Sequence, residues 1–201
     1  MQLIASPLSP FVRKVRVLLH ETGLVEQVEV VNLATTPMDT NSRAATANPL
    51  GKIPALVRED GATLYDSRVI TRYLDALARA GLYPEARLWE VLTLEATAEG
   101  IMDAAVLITY EGRFRPEEMQ YAPWVEAQWA KITRTLDALE GRWMSHLAGP
   151  LDMGQIAIGC ALDYLDLRHE ARGWRNGHPA LAAWHQRFVM RESMAATAPG
   201  G

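Results

Sequence analysis

The chain has 201 residues, of which 49% are hydrophobic and 22% are charged, a composition typical of a folded globular protein. Its formal net charge of -4 gives no general attraction to nucleic acid, no apolar run is long enough to span a bilayer, and the first residues lack the pattern of a secretory signal. A single cysteine, Cys160, excludes an internal disulfide and a cysteine cluster for a metal, so we expect a soluble, cytoplasmic protein.

The chain opens with a pattern typical of a strand followed by an amphipathic helix. Residues 3–5 form an apolar run that is too short for a helix and is bounded by Pro7, which predicts a strand. Ser9 and Pro10 then predict a helix start, because a serine hydroxyl caps a free backbone N–H and proline has no N–H to cap. The apolar face of this helix is predicted to consist of Phe11, Val15, Leu18 and Leu19.

Three further strand patterns and a second helix follow within about the first 78 residues. We predict a strand near residues 28–31, a loop with a short helical turn over 34–48, and a strand over 53–57. The Asp60-Gly61 pair predicts a hairpin turn that leads to a partner strand over 62–65. Ser67 is expected to cap the next helix, whose predicted apolar face is Val69, Ile70, Tyr73, Leu74 and Leu77.

Only helical patterns follow the break at residues 80–84. We predict one long helix over 87–114, a second over about 124–146, and a last helix from Pro179 to about Val189. Between them, Asp152 is expected to cap a further helix and Gln155 to complete a capping box. The prediction is therefore an α/β unit of order βαβ-ββα over residues 1–78, followed by an all-helical domain over residues 85–201.

Three groups of residues invite a functional interpretation from chemistry alone. Ser9 lies at the positive end of a helix, where a hydroxyl and free N–H groups suit an anion, although capping alone also explains it. The basic residues Arg13, Lys14 and Arg16 are expected on a solvated helix face, with steering of an acidic substrate as the less favoured interpretation. The five histidines show no tight metal-ligand spacing, so no metal site is predicted.

Three motifs together resemble the N-terminal domain of glutathione S-transferases, which has a thioredoxin-like fold. They are SPFVRKVRVLL, NPLGKIPAL and LYDSRVITRYL. The resemblance extends through the helical half to about residue 199, where Asp-x-x-Gln at 152–155 stands in the place of the family's Ser/Thr-x-x-Asp capping box. It implies that this half supplies the pocket for a second, apolar substrate.

The resemblance implies a role for Ser9 and a cradle for the tripeptide glutathione. Ser9 would hydrogen-bond the glutathione thiol as thiolate, with Ser6 as the competing candidate; Ser9 is preferred because the helix pattern begins at Pro10. Ile53, before a proline that is cis in the family, would pair its backbone with the cysteinyl residue. Lys52 would reach the glycyl carboxylate, and Asp66 with Ser67 would hold the γ-glutamyl end.

The implied function is that of a glutathione transferase, which activates the glutathione thiol for attack on an apolar electrophile, with detoxification as its role. Glutathione would be a co-substrate, no metal would be needed, and the protein would form a homodimer without nucleic-acid or membrane partners. The alternative is a non-catalytic binding or assembly module of the same fold. A glutathione-dependent disulfide reductase is disfavoured, because the hydroxyl of Ser9 cannot form a mixed disulfide.

Overall fold

The structure is a computed structural model that describes residues 1–199 and divides into two compact units. The first contains Met1–Leu88 together with residues 192–199, and the second contains Trp89–Arg191. Residues 192–199 thus lie with the first unit, although the sequence-based division placed them in the helical domain. None of the helices in the described part of the chain is both long enough and apolar enough to span a membrane.

The first unit is built around a three-stranded mixed sheet of order β2-β1-β3. Its elements are β1 (Gln2–Ala5), α1 (Pro10–Glu21), β2 (Glu29–Asn32), α2 (Ser42–Ala47), β3 (Ala55–Val57) and α3 (Ser67–Ala78). Strand β1 pairs in parallel with β2, with Leu3 opposite Val30, and antiparallel with β3, with Ile4 opposite Ala55. The predicted βαβ order and its first helix are confirmed.

The predicted partner strand over residues 62–65 is reduced to a single bridge. Leu56 and Leu64 exchange both backbone hydrogen bonds, each 2.9 Å long. Next to this pair, Arg58 Nε donates to the Ala62 carbonyl at 3.0 Å. The Arg58 side chain therefore bonds to the Ala62 carbonyl, which would have been the acceptor of the next backbone hydrogen bond between the two strands.

The core of the first unit includes the buried faces of α1 and α3, which pack against each other, and a cluster of Ile4, Ala44, Ala47 and Ala55 between the sheet and α2. The buried face of α1 includes Val15, Leu18 and Leu19 as predicted. The prediction of a solvated basic face is wrong for Arg13, which is 5% exposed, and for Lys14, which is fully buried. On α3 the predicted face is also too wide, because Val69 and Leu77 are each 46% exposed, whereas Ile70 and Leu74 are buried.

The second unit is entirely helical in its described residues. Helix α4 (Leu88–Phe114) leads into it, followed by α5 (Ala122–Arg142), α6 (Met144–Leu147), α7 (Met153–His169) and α8 (Pro179–Phe188); α9 (Glu192–Ala196) belongs to the first unit. Helix α7 is the core element, because every residue from Met153 to Leu162 is buried. The predicted helix over 124–146 is instead two helices, since the chain leaves α5 at Trp143.

The start of α7 confirms half of the predicted capping box. Asp152 caps the helix and accepts a hydrogen bond from the backbone N–H of Gln155 at 3.1 Å. The Gln155 side chain does not reach back to the cap. Its Nε2 instead donates to the carbonyls of His146, Gly149 and Pro150 at 3.0–3.2 Å. The predicted combination of a thioredoxin-like α/β unit and an all-helical unit is confirmed.

Candidate functional site

Ser9 lies at the tip of α1, as its sequence context predicts. Its backbone is extended (φ -83, ψ 122), and its Oγ accepts a hydrogen bond from the N–H of Val12 at 3.3 Å. Its own N–H donates to the Ser6 carbonyl at 3.1 Å, so Ser6 lies in the turn before the helix. The Ser9 hydroxyl keeps its proton for donation. A hydrogen-bond donor and the positive end of a helix therefore occupy one partly exposed position.

The sheet register places the residues before β3 beside the turn that carries Ser9. Because β1 and β3 are antiparallel and Ile4 lies opposite Ala55, the end of β1 lies beside the start of β3. The Ile53–Pro54 peptide bond is cis, as the resemblance implies. Ile53 precedes the first paired residue of β3 and so lies outside the ladder.

Asn48 organises the turn before Ile53 and was missed by sequence reasoning, because an Asn-Pro pair predicts a turn but not the hydrogen bonds of the Asn side chain. Its side chain is buried; Nδ2 donates to the Lys52 carbonyl at 3.0 Å, and Oδ1 accepts from the N–H of Leu50 at 3.0 Å. Gly51 has a φ of 65, and a Cβ there would lie 2.5 Å from Cγ2 of Thr40, so a side chain does not fit. The turn presents Lys52 on the surface.

At the start of α3 the cap is Asp66 and not Ser67. Asp66 is extended, and its Oδ1 accepts from the N–H of Arg68 at 3.1 Å. Its Oδ2 accepts from Arg68 Nη2 at 2.8 Å. Both residue types are good caps, so the sequence alone does not decide between them. Ser67 is the first helical residue, is 1% exposed, and its carbonyl accepts from the hydroxyl of Thr71 at 3.0 Å.

The charges around Asp66 keep it ionised. Burial alone would raise the pKa of its carboxyl, but hydrogen bonding to Arg68 and the positive charges of Arg68 and Lys14 outweigh burial, so the pKa lies below its usual value. Helices α1 and α3 pack against each other. The structure therefore brings Lys14, five residues after Ser9, within electrostatic range of Asp66. Sequence patterns do not predict this contact, because helical periodicity does not identify a buried lysine.

A second group of titratable side chains lies in the helical unit. Ligand atoms of Asp163, Asp166 and His185 all lie within 4.8 Å of one another, as donors to a metal would. However, Arg175 forms an ion pair with both oxygens of Asp166, and Trp174 Nε1 donates to Asp166 at 2.7 Å. A guanidinium thus already balances one of these carboxylates. The spacing of these residues in the sequence does not reveal the group, because its members lie on two different helices, α7 and α8.

The helical unit also contains a cavity of about 340 Å³. The rings of Trp184 and Phe188 stack at 4.7 Å between centroids and form its apolar wall. Arg187 and Arg191 also line it. The Trp184 ring is held in place by a hydrogen bond, in which its Nε1 donates at 2.8 Å to the carbonyl of Leu147, the last residue of α6.

Two family models match the chain. One, described as the N-terminal domain of glutathione S-transferase, matches residues 8–77, and the other, described as its C-terminal domain, matches residues 122–187. A relative in Escherichia coli (strain K12), the uncharacterized GST-like protein YibF, is 37% identical over 99% of this chain and 98% of its own length.

Solved structures of glutathione transferases are also similar to this chain. A glutathione transferase family member from Pseudomonas fluorescens Pf-5, crystallised with bound glutathione, is 44% identical, with a TM-score of 0.97 over 100% of this chain and 99% of its own. A glutathione S-transferase from Methylobacillus flagellatus KT with glutathione bound is 37% identical, with a TM-score of 0.83 over 98% of each chain.

Proposed function

Because the chain belongs to the glutathione S-transferase family, we propose that it is a glutathione transferase that activates the thiol of glutathione for attack on an apolar electrophile. The observation that carries this proposal is the position of Ser9, whose hydroxyl caps the first helix of the thioredoxin-like unit. The full-length likeness to a Pseudomonas fluorescens protein with bound glutathione supports it. The proposal includes a cytoplasmic location, a homodimer and a role in detoxification, all of which come from the family resemblance.

Thiol activation is the chemical step that we assign to Ser9. The thiol releases its proton to solvent, and the thiolate accepts a hydrogen bond from the Ser9 hydroxyl while the α1 dipole stabilises the negative charge. The sulfur then attacks the electrophilic carbon: a C–S bond forms, and the bonding pair of the leaving group departs with it. The Ser9 hydroxyl can donate in this way because its Oγ acts only as acceptor toward Val12.

The remaining candidate residues form the tripeptide cradle in this proposal. The backbone of Ile53 pairs with the cysteinyl residue, since Ile53 lies outside the β1–β3 ladder. Lys52 is exposed on a turn held by Asn48 and pairs with the glycyl carboxylate. Asp66 pairs with the γ-glutamyl amine, a role that its depressed pKa favours, and Ser67 with the helix end holds the γ-glutamyl carboxylate.

The electrophile would bind in the helical unit, which carries apolar and aromatic surface.

The alternative is a non-catalytic binding or assembly module that has the same fold but catalyses no reaction. Lys52 and the Asp66-Ser67 pair favour the enzyme, because an assembly module has no need of a peptide cradle.

The experiment is a pH titration of the thiolate ultraviolet absorbance of glutathione in the presence of the wild-type protein, Ser9→Ala and Ser6→Ala. Binding is measured separately by calorimetry. We expect the bound thiol to ionise at a lower pH than free glutathione, whose pKa is near the thiol value of about 8.5. We expect Ser9→Ala to reverse this shift and Ser6→Ala to retain it. Binding without any shift in the wild-type protein would refute activation and favour the non-catalytic module, and the opposite response of the two variants would assign the role to Ser6.

A further inference from the structure

Residues 192–199 pack along the helix that carries Ser9. Helix α9 contacts α1, and both belong to the same compact unit. Met194 is 1% exposed, and Thr197 is fully buried, with its hydroxyl bonded to the Ser193 carbonyl at 2.8 Å. This segment is therefore an integral part of the unit that holds the candidate glutathione cradle.

Two side-chain hydrogen bonds fix the segment at separate points on α1. Arg13 Nη2 donates to the Met194 carbonyl at 3.2 Å in a buried contact. The Ser193 hydroxyl donates to Oε1 of Glu21 at 2.5 Å. Arg13 and Glu21 are eight residues apart on α1, which corresponds to about 12 Å along its axis. Two anchors at this separation restrain both the tilt of α1 and its rotation about its own axis.

Arg13 also connects this anchor directly to Ser9. Its backbone N–H donates to the Ser9 carbonyl at 3.0 Å, which closes the first turn of α1. The same residue therefore bonds to the cap through its backbone and to the 192–199 segment through its guanidinium. A change in the position of Arg13 changes the position of the Ser9 hydroxyl.

We propose that residues 192–199 act as a clamp on α1 and that Arg13 is a positioning residue for thiol activation, acting through Ser9 without touching glutathione. The functional part of this inference rests on the proposed function. The clamp orients the serine hydroxyl and the first N–H groups of the helix toward one point. Loosening it lets the first turn fray, and the hydrogen bond to the thiolate is then made for a smaller fraction of the time.

The test compares full-length Arg13→Met, Arg13→Lys and Ser193→Ala with the wild-type protein. Arg16→Met is the matched control, because Arg16 is a basic residue of the same helix that stays partly exposed. Amide hydrogen exchange over residues 9–16 reports on the first turn without any ligand. Thiolate absorbance against pH, and KM for glutathione separately from kcat, report on activation.

In Arg13→Met we expect exchange in the first turn to rise about tenfold, as for loss of one buried hydrogen bond of a charged group. We also expect the thiolate profile to move to higher pH. Arg13→Lys should recover part of both effects, Ser193→Ala should show smaller effects in the same direction, and Arg16→Met should behave as wild type.

A merely structural contact would lower the melting temperature of Arg13→Met and leave the thiolate profile in place, which would overturn the positioning role. Wild-type exchange rates in Arg13→Met would overturn the clamp itself. If the wild-type protein does not shift the glutathione thiol, the proposed function fails, and the exchange rates still decide whether the clamp exists.

Discussion

Replacing Asp152 by Ala should destabilise the protein more than any surface substitution, because one buried carboxylate serves two partners. Its Oδ1 caps α7 through the N–H of Gln155 at 3.1 Å, and its Oδ2 lies 2.7 Å from Nε2 of His146. Asp152 is fully buried. A lost cap costs about 1 kcal/mol, and a lost hydrogen bond to an ionised group costs about 1.5–3 kcal/mol.

The expected loss is therefore about 2.5–4 kcal/mol of unfolding free energy. For a chain of this length, each kcal/mol corresponds to about 2–4 °C in melting temperature, so we expect the midpoint to fall by roughly 5–15 °C. The assay is urea and thermal unfolding followed by tryptophan fluorescence and circular dichroism. His146→Ala removes one of the two contacts and leaves the cap, so it should cost less than Asp152→Ala.

A double-mutant cycle on Asp152 and His146 tests the reasoning directly. The two substitutions should be non-additive by about 1 kcal/mol or more, because they remove a shared hydrogen bond. Additive effects would show that the His146 contact contributes nothing. A loss below about 0.5 kcal/mol in Asp152→Ala would refute the assignment of this carboxylate as the cap of the central helix, since that is the lower limit for cap removal.

The other predictions concern Gly154, His169 and Ser9. In Gly154→Ala the new Cβ would lie 2.7 Å from Cβ of Leu94, which should lower the free energy of unfolding in urea by about 1–3 kcal/mol. In the control Gly100→Ala no atom lies within 4 Å of the new Cβ, so this variant should be more stable than wild type by about 0.5–1 kcal/mol. Equal changes in the free energy of unfolding of the two variants would contradict this. Burial lowers the pKa of His169 despite a hydrogen bond to a backbone carbonyl, so the unfolded chain takes up a proton more readily than the native one and stability should fall as pH drops below about 6.5. Unfolding free energies measured on both sides of this pH should depend less on pH in His169→Gln than in the wild type, and an unchanged dependence would rule out this contribution. Ser9→Asp should keep the helix cap, and with it a melting temperature near that of wild type, but lose thiol activation because a carboxylate cannot donate to a thiolate; retained activation would count against the hydrogen-bond role.

Local signals predicted the elements that carry the candidate site. The start of α1 was predicted because a cap and a first-turn proline are consecutive in sequence, and both act within one turn of helix. The start of α3 was predicted to within one residue, since Asp66 and Ser67 are both capable of capping. The roles of Lys52, Ile53, Asp66 and Ser67 toward glutathione stay predictions.

Features that depend on distant parts of the chain could not be predicted in this way. Lys14 follows the polar pattern of α1, and only the packing of other elements against it makes it fully buried. The Asn48 side chain looks like an ordinary turn residue until the fold places it under the Lys52 turn. Residues 192–199 carry no sequence signal that assigns them to α1, because their anchor, Arg13, lies 181 positions earlier.

The location of residues 192–199 has a consequence for how the protein is made. During synthesis the chain emerges from its N-terminus, so the sheet, α1 and α3 leave the ribosome before the second unit, Trp89–Arg191. At about 5–20 residues per second, the roughly one hundred residues of that unit take several seconds or more to appear. Through this time α1 is not yet covered by residues 192–199, and the buried contact of Arg13 with Met194 forms only after the second unit has been synthesised.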